Sequence, residues 1–249
     1  MNGYHALALV YDICNERAGY EKLSAFICEH LSQYKENNIV LDAGCGTGAM
    51  SLLLSKKGFD VIGVDISPEM LSQAQQKAYD ANQNILFLLQ DLSSLDLYGT
   101  VGGIVCLRDT LNHLEPAKLQ KALERFALFL EPGGILIFDI NTEYKHRNVL
   151  AGNTFVYENS DSMVVWRNAY DEKHSRVELI VDVFCKNEDG SYNRSCDDFF
   201  EYNIDEKQLT DMLKSCNMEL VEVLDGDKMG PRVDNSERLL FVFRKALTK

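Results

Sequence analysis

What this sequence of 249 residues lacks sets the first limits on what it does. It has no apolar run approaching the roughly 18 to 20 residues that cross a bilayer. Its amino terminus, Met1 to Leu9, carries no basic region ahead of a mildly apolar stretch. A soluble, unexported, cytoplasmic protein with no membrane partner is expected. Basic residues are scarce, with 25 Lys and Arg against 38 Asp and Glu, a formal charge of −13, and no basic cluster. Affinity for a phosphate backbone comes largely from Lys and Arg releasing counterions, so nucleic acid is disfavoured as a partner. The seven cysteines are odd in number, contain no Cys-x-x-Cys pair and have no histidine at zinc-finger spacing. Reduced, packed thiols are expected, with neither a disulfide framework nor a metal site.

What is present is the composition of a globular chain, 46% hydrophobic and 25% charged, long enough for one large domain or two small ones. Short apolar runs at 38–42, 59–64, 85–89, 104–107 and 134–140 have the character of strands buried on both faces of a parallel sheet. Helical patterns separate them. One follows the Gly-rich turn at 49–57, another starts at Pro68 behind Ser67 as N-cap, and a third starts at Pro116 and ends at Glu131-Pro132-Gly133-Gly134. This succession predicts an α/β fold, a doubly wound, mostly parallel sheet. Near residue 150 the texture changes to four β-like runs, 153–158, 162–170, 175–185 and 191–202, separated by polar turns. In the third, Val177, Leu179, Val181 and Val183 alternate with Arg176, Glu178 and Asp182, which predicts one wet face. A helix at 205–216 behind Asp205 and strands at 218–224 and 238–244 close the chain. The expected organisation is one α/β domain, 1–150 with 206–249, interrupted by an antiparallel β insertion at 151–205.

The chemistry-bearing segment is Leu41-Asp42-Ala43-Gly44-Cys45-Gly46-Thr47-Gly48, between the first strand and the next helix. Its glycines allow positive φ and a ligand against the backbone, and the helix amino terminus offers free N–H groups. Gly44, Gly46 and Ala49 also satisfy the G-x-G-x-x-G/A dinucleotide fingerprint, so the glycines do not separate a nicotinamide enzyme from other nucleoside binders. Asp42 helps to do so. A carboxylate beside the turn repels a pyrophosphate but suits a ligand with an ammonium and a sulfonium, although Asp42 also reads as a cap for loop N–H groups. Asp65 ends the second strand, where a carboxylate accepts both hydroxyls of a ribose. Asp91, after the third, is placed to receive an exocyclic amine with Leu92 on the ring, or to cap a turn. Cys45 reads as a compact filler of the turn.

Four segments in register, LDAGCGTG, VDISPEML, QDLSSLDL and EPGGILIFDIN, resemble the successive motifs of class I S-adenosylmethionine-dependent methyltransferases. The likeness spans residues 38–141, and MELVEVLDGD with SERLLFVFRK resembles that family's last two strands. It implies a Rossmann-like sheet of seven strands, the last antiparallel, and S-adenosyl-L-methionine as cofactor. By the same likeness Gly44, Gly46 and Gly48 line the methionine part, Asp65 binds the ribose, Ile66 and Met70 flank the adenine, and Asp91 and Leu92 hold its edge and face. The segment from Cys106 to Leu114, CLRDTLNHL, resembles the loop after the fourth strand in the glycine N-methyltransferase-like branch with a β insertion, where cofactor and substrate meet. Leu9-Val10-Tyr11-Asp12 resembles that branch's amino-terminal helix, which places Tyr11, and Tyr20 as a further candidate, near the methionine carboxylate. The Asn/Asp-Pro-Pro-Tyr/Phe tetrapeptide of DNA and protein amide methyltransferases is missing.

Methyl transfer is a displacement at carbon, so the protein chiefly aligns the acceptor and excludes water, and needs a base only when the acceptor arrives protonated. His113 is the first candidate base, followed by Asp109, His146 and Tyr144. Asp109, Asn112, Tyr144, Trp166 and Tyr202 are the candidate contacts to the acceptor. The insertion holds nine of the 24 aromatics and 12 acids against five bases, hence −7 of the total −13. It reads either as a β layer packed on the main sheet or as a lid receiving a small cationic acceptor such as an amine, since aromatic faces attract cations. A transferase acting on a small molecule is the leading expectation. A transferase acting on tRNA or protein, a non-catalytic S-adenosylmethionine binder and, more distantly, a nicotinamide oxidoreductase are the alternatives.

Overall fold

Two sheets divide the chain in the computed structural model, which describes residues 7–14, 19–34 and 36–247. Of the stretch Met1–Leu9, residues 1–6 lie outside the described residues. A 3₁₀ turn at Leu7–Leu9 leads into α1 (Tyr11–Cys14) and α2 (Tyr20–Leu31). An alternating series follows: β1 (Ile39–Ala43), α3 (Ala49–Lys56), β2 (Asp60–Asp65), α4 (Pro68–Asp80), β3 (Leu86–Leu89), β4 (Val101–Cys106), α5 (Pro116–Phe129) and β5 (Leu130–Asn141). After a π-helical segment, Lys145–Leu150, come β6 (Thr154–Glu158), β7 (Ser162–Asp171), β8 (Arg176–Lys186) and β9 (Tyr192–Tyr202), then α6 (Glu206–Ser215), β10 (Met218–Asp225) and β11 (Arg238–Lys245). None of the described helices is long and apolar enough to cross a membrane.

The larger sheet has the order β10-β11-β5-β4-β1-β2-β3. Its first five strands in sequence run parallel, and β11 is antiparallel to both β5 and β10. The chain moves outward from β1 through β2 to β3 and then restarts at β4 on the other side of β1, so a crevice opens at the carboxyl ends of β1 and β4. Local chemistry sets the helix starts. The Ser67 hydroxyl accepts the Met70 amide at 3.2 Å with Pro68 at the first helical position, and Asp205 accepts the Gln208 amide at 2.7 Å. On one face of the sheet Leu123 and Phe126 of α5 pack with Phe138, Phe241 and Phe243, whose rings stack at 5.1 to 6.4 Å. On the other, Leu23, Ile27 and Leu31 of α2 and Leu54 of α3 cover Val105 and Ile137.

β6 to β9 form a separate antiparallel sheet in sequence order. Its apolar face, Val164, Val177, Leu179, Val181, Val183 and Phe199, packs on Leu7, Val10, Met70 and Leu150. That contact sets it over the amino terminus and the start of α4, above the crevice. Three details differ from the sequence reading. The fourth strand begins at Val101, and β5 already pairs at Leu130, with the Glu131–Gly134 segment absorbed as an irregularity between the Val101–Leu130 and Gly103–Ile135 partners. The wet face of β8 is not wet at Asp182, which is only 5% exposed because Arg167 and Arg194 from the neighbouring strands close over it at 2.5 Å.

Candidate active site

A cavity of about 800 Å³ occupies the crevice between the parallel strand ends and the second sheet. One half is built by the loops after β1, β2 and β3. The amides of Gly44 and Cys45 donate to the Val64 carbonyl at 2.7 and 2.9 Å, pinning the glycine turn against β2. A Cβ on Gly44 (φ 72°) would sit 2.3 Å from Thr110 Cγ2, so only glycine lets this turn meet the loop after β4. Asp65 accepts the Gly46 amide at 2.8 Å and the Ser67 amide at 2.9 Å and keeps lone-pair capacity to spare. Burial raises its pKa, against the pull of the Ser67, Gly46 and Ile66 amides. Ile66 is 56% exposed at the cavity edge, while Met70 and Leu92 are buried in its lining. Asp91 uses one oxygen for the amide and hydroxyl of Ser93, both at 2.8 Å, and the other for Lys118 at 2.8 Å. Burial works against its charge, but Lys118 and Ser93 prevail and lower its pKa.

Tyr11 lines the cavity beside Gly46, and α1 is tied to the glycine turn by the Thr47 hydroxyl, which donates to Asp12 at 2.7 Å. Tyr20 does not line it, and carries the Arg108 guanidinium 5.6 Å from its ring centre. Asp42, Cys45, Gly48 and Cys106 also stay out of the lining. Asp42 is 2% exposed, accepts the Ser51 hydroxyl at 2.5 Å and has its pKa pushed up to about 6 by burial. It therefore anchors the first turn of α3 to the end of β1 and acts on the cavity only through its field. Burial likewise pushes up the thiols of Cys45 and Cys106, which are packing groups here.

The other half joins the loop after β4, the end of β5, β9 and β11. Arg108 and Asp109 both have positive φ, 59° and 56°, a conformation that costs about 1–3 kcal/mol per non-glycine residue. Asp139 holds the pair by accepting both amides, at 3.0 and 2.7 Å, and is itself held by Arg238 at 2.7 Å. The same guanidinium reaches Asp109 at 2.6 Å. Burial opposes the Asp109 charge, yet Arg238, His113 and Lys145 keep its pKa well below the carboxylate range. His113 faces the Phe200 carbonyl through Nδ1 at 3.2 Å, which fixes a proton on that nitrogen, and Asp109 through Nε2 at 3.5 Å. Burial lowers the His113 pKa, but Asp109, Glu201 and the Phe200 carbonyl outweigh it and the net shift is upward. Glu201 accepts His146 at 2.9 Å and Asn141 at 2.7 Å. Ligand-capable atoms of Asp109, His113 and Glu201 lie within 4.8 Å of one another.

Of the candidate acceptor contacts, Asp109, Trp166 and Tyr202 line the cavity, as does the candidate base His113. Asn112 and Tyr144 do not. Asn112 is fully buried and stitches strand ends together, donating to the carbonyls of Asn141 and Tyr202 and accepting the Asn141 amide. Tyr144 is 37% exposed, and His146 has both ring nitrogens engaged, by Glu201 and Asn203, away from the cavity. Sequence reading missed Arg108, Lys145, Glu201 and Arg238, which line it, and Asp139 behind them. Asp139 had the one legible signal, a carboxylate inside an otherwise apolar strand.

A glycine cradle open to a ligand, a carboxylate with spare lone pairs at the next strand end and a second acid beside an apolar floor fit the methionine, ribose and adenine parts of S-adenosylmethionine. Residues 40–134 match the family described as "Methyltransferase domain". The chain is 32% identical over 249 residues to the putative methyltransferase YqeM of Bacillus subtilis, covering 98% of each. It is 36% identical over 112 residues to a glycine/sarcosine N-methyltransferase of Parasynechococcus marenigrum, covering 44% of this chain and 38% of that one. A crystal structure of an S-adenosylmethionine-dependent methyltransferase from Clostridium acetobutylicum superposes with a TM-score of 0.85 at 27% identity, covering 98% of this chain and 99% of that one. This chain belongs to the class I S-adenosylmethionine-dependent methyltransferases, enzymes for which S-adenosylmethionine is the cofactor.

Proposed function

We propose that the enzyme methylates a small amine, that His113 takes the proton the amine releases, and that residues 151–205 act as the cover of the acceptor site on a cofactor-binding domain formed by 1–150 and 206–249. The observation that carries this reading is the single cavity shared by both halves, in which Asp109, His113 and Glu201 face the aromatic side chains Trp166, Phe199 and Tyr202 of the second sheet. The bound cofactor supplies an electrophilic methyl on a sulfonium, and the chain supplies position and a dry surround. Asp65 and the glycine turn hold the nucleoside and methionine ends. Asp91 offers its carboxylate to the adenine edge once Lys118 gives way, and Leu92 and Ile66 bracket the ring.

At the acceptor end an ammonium is drawn by Asp109 and Glu201 and by the aromatic faces. Transfer needs a free lone pair on nitrogen. His113, with Nδ1–H committed to Phe200, presents Nε2 to accept the proton, and the neighbouring carboxylates stabilise the imidazolium that results. A small acceptor is favoured over tRNA or protein because β8 and β9 stand over the cavity and leave the aromatic wall facing inward. The likeness to a glycine/sarcosine N-methyltransferase supports nitrogen as the acceptor atom. The test is release of S-adenosylhomocysteine over a panel of amines, carboxylates and phenols. Turnover of amines is expected, and turnover confined to acceptors without an amine refutes the proposal. On an amine substrate His113→Ala should lose about 10²-fold in kcat, and a loss under about fivefold removes His113 as the base. No turnover on any class, with tight cofactor binding intact, would favour a non-catalytic binder.

A further inference from the structure

Lys145 is a cavity-lining cation with no carboxylate in ion-pair contact among the described residues. It opens the π-helical segment that follows β5 after three residues, lines the cavity, and spends one of its three donors on a neutral group, Asn141 Oδ1, at 3.0 Å. The other charged groups around it are already matched. Arg238 is taken by Asp109 and Asp139, and Glu201 by His146 and Asn141, whereas Lys145 forms no ion pair among the described residues. Burial and the nearby Arg238 lower its pKa, with Asp109, Glu201 and Asp227 pulling the other way from beyond contact. An ammonium kept at a cavity wall on an amide oxygen is costly unless something else supplies the counter-charge. π-helical turns are also uncommon and concentrate at functional sites.

We infer that Lys145 binds an anionic group, a carboxylate or a phosphate, carried by the methyl acceptor itself. The inference rests on the amine reading only for the nature of the methylated atom. A zwitterionic acceptor then has both ends satisfied, its ammonium toward Asp109 and Glu201 and its acid on Lys145. The cofactor's own carboxylate is read as a different anion, since the methionine part is assigned to the glycine turn, where Tyr11 stands beside Gly46 and Arg108 also lines the cavity.

The experiment compares matched acceptors on the full-length enzyme: 4-aminobutyrate against 4-aminobutyramide, O-phosphoethanolamine against ethanolamine, and 4-hydroxybenzoate against 4-hydroxybenzamide. KM and kcat come from S-adenosylhomocysteine release. The acid member of a pair should have a KM lower by about tenfold or more, as befits a charge-assisted hydrogen bond. The first two pairs separate a carboxylate from a phosphate source. Lys145→Met should erase that preference through KM, with kcat changed by less than about threefold, and Lys145→Arg should restore much of it. Binding of S-adenosylhomocysteine by calorimetry should be the same in all three proteins. Equal KM within every pair for the wild type overturns the inference and needs no variant to fold. So does a Lys145→Met effect that falls equally on acid and amide, or one that falls on cofactor binding. If only the phenol pair turns over, the amine reading fails, while the acid-over-amide preference still decides the role of Lys145. If no pair turns over, acetate and inorganic phosphate are titrated into the S-adenosylhomocysteine complex. Stabilisation of the wild type by either, absent in Lys145→Met, supports the site, and no difference between the two proteins overturns it.

Discussion

Arg238→Met should be the most damaging single change at the acceptor end, because this one guanidinium neutralises one buried and one half-buried carboxylate, Asp139 and Asp109, and through them fixes a strained turn. Arg238 is 5% exposed and Asp139 2%, and the contacts to Asp139 and Asp109 are 2.7 and 2.6 Å. Deleting one partner of a buried pair costs about 3–5 kcal/mol, since the remaining charge is stranded. For a chain of this length, that corresponds to a fall in Tm of roughly 6–20 °C. The deficit should depend on pH in a defined direction. In the wild type Asp109 is depressed, burial being outweighed by Arg238 and then by His113 and Lys145. Its stabilising contribution is present above its unfolded pKa, about 3.9, and disappears as pH falls through the folded value. Without Arg238 the largest attraction opposing burial is gone, so Asp109 takes up a proton more readily in the folded state. The variant should be worst at pH 8 and recover ground on the wild type as the pH falls toward 5. Guanidinium titrations and thermal melts across that range test this, with Arg238→Lys, which keeps the charge but not the two-pronged geometry, falling in between. A deficit below about 1 kcal/mol at pH 8, or one that does not narrow on acidification, refutes the account of the clamp.

Gly44→Ala should lower stability by about 1–3 kcal/mol and weaken S-adenosylhomocysteine binding, because the new methyl meets Thr110 at 2.3 Å and φ is 72°; Gly99→Ala, with open space around it, is the control, and equal calorimetric affinities for the two would count against the cradle. Asp42 has a folded pKa raised to about 6, so ionising it above that pH destabilises the folded state, and stability is regained as pH falls from about 6 toward the unfolded value. Asp42→Asn, which can still accept the Ser51 hydroxyl, should gain up to about 3 kcal/mol at pH 8 in denaturant titrations. The same variant should bind the cationic S-adenosylmethionine less tightly; unchanged affinity would reduce Asp42 to an anchor.

The parallel sheet was legible because strands buried on both faces leave apolar runs, and the helices because Ser67, Pro68, Pro116 and Asp205 mark their starts. The first half of β4 was hidden by Gly102 and Gly103, residues of low strand propensity that are nonetheless required. A Cβ at Gly103 would fall 2.4 Å from Leu31 Cδ2, and one at Gly102 2.0 Å from the Asn37 carbonyl. The cofactor half of the cavity was legible for a related reason. Each of its acids follows its own strand, so Gly44, Asp65 and Asp91 signal locally. The acceptor half has no such grammar. Arg238 meets Asp109 across 129 residues and Asn141 meets Glu201 across 60, and neither partner is marked by its neighbours in sequence.

The same distinction limits what the charge count conveys. The insertion carries a net −7, which taken alone points to a cation-loving cover. Several of those acids are matched within the protein: Asp182 lies between Arg167 and Arg194, Asp171 is paired with His174 and Arg176, and Asp197 accepts the Leu7 amide at 2.9 Å. Of the 12, Asp198 and Glu201 line the cavity, and Glu201 is already bound by His146 and Asn141. Opposite them the main domain sends in Lys145, Arg108 and Arg238. The cavity wall is therefore of mixed sign, whatever the sum over residues 151–205. Selectivity at such a surface comes from which charges remain unmatched, and on the inference drawn above the ammonium of Lys145 is the group on which that choice turns.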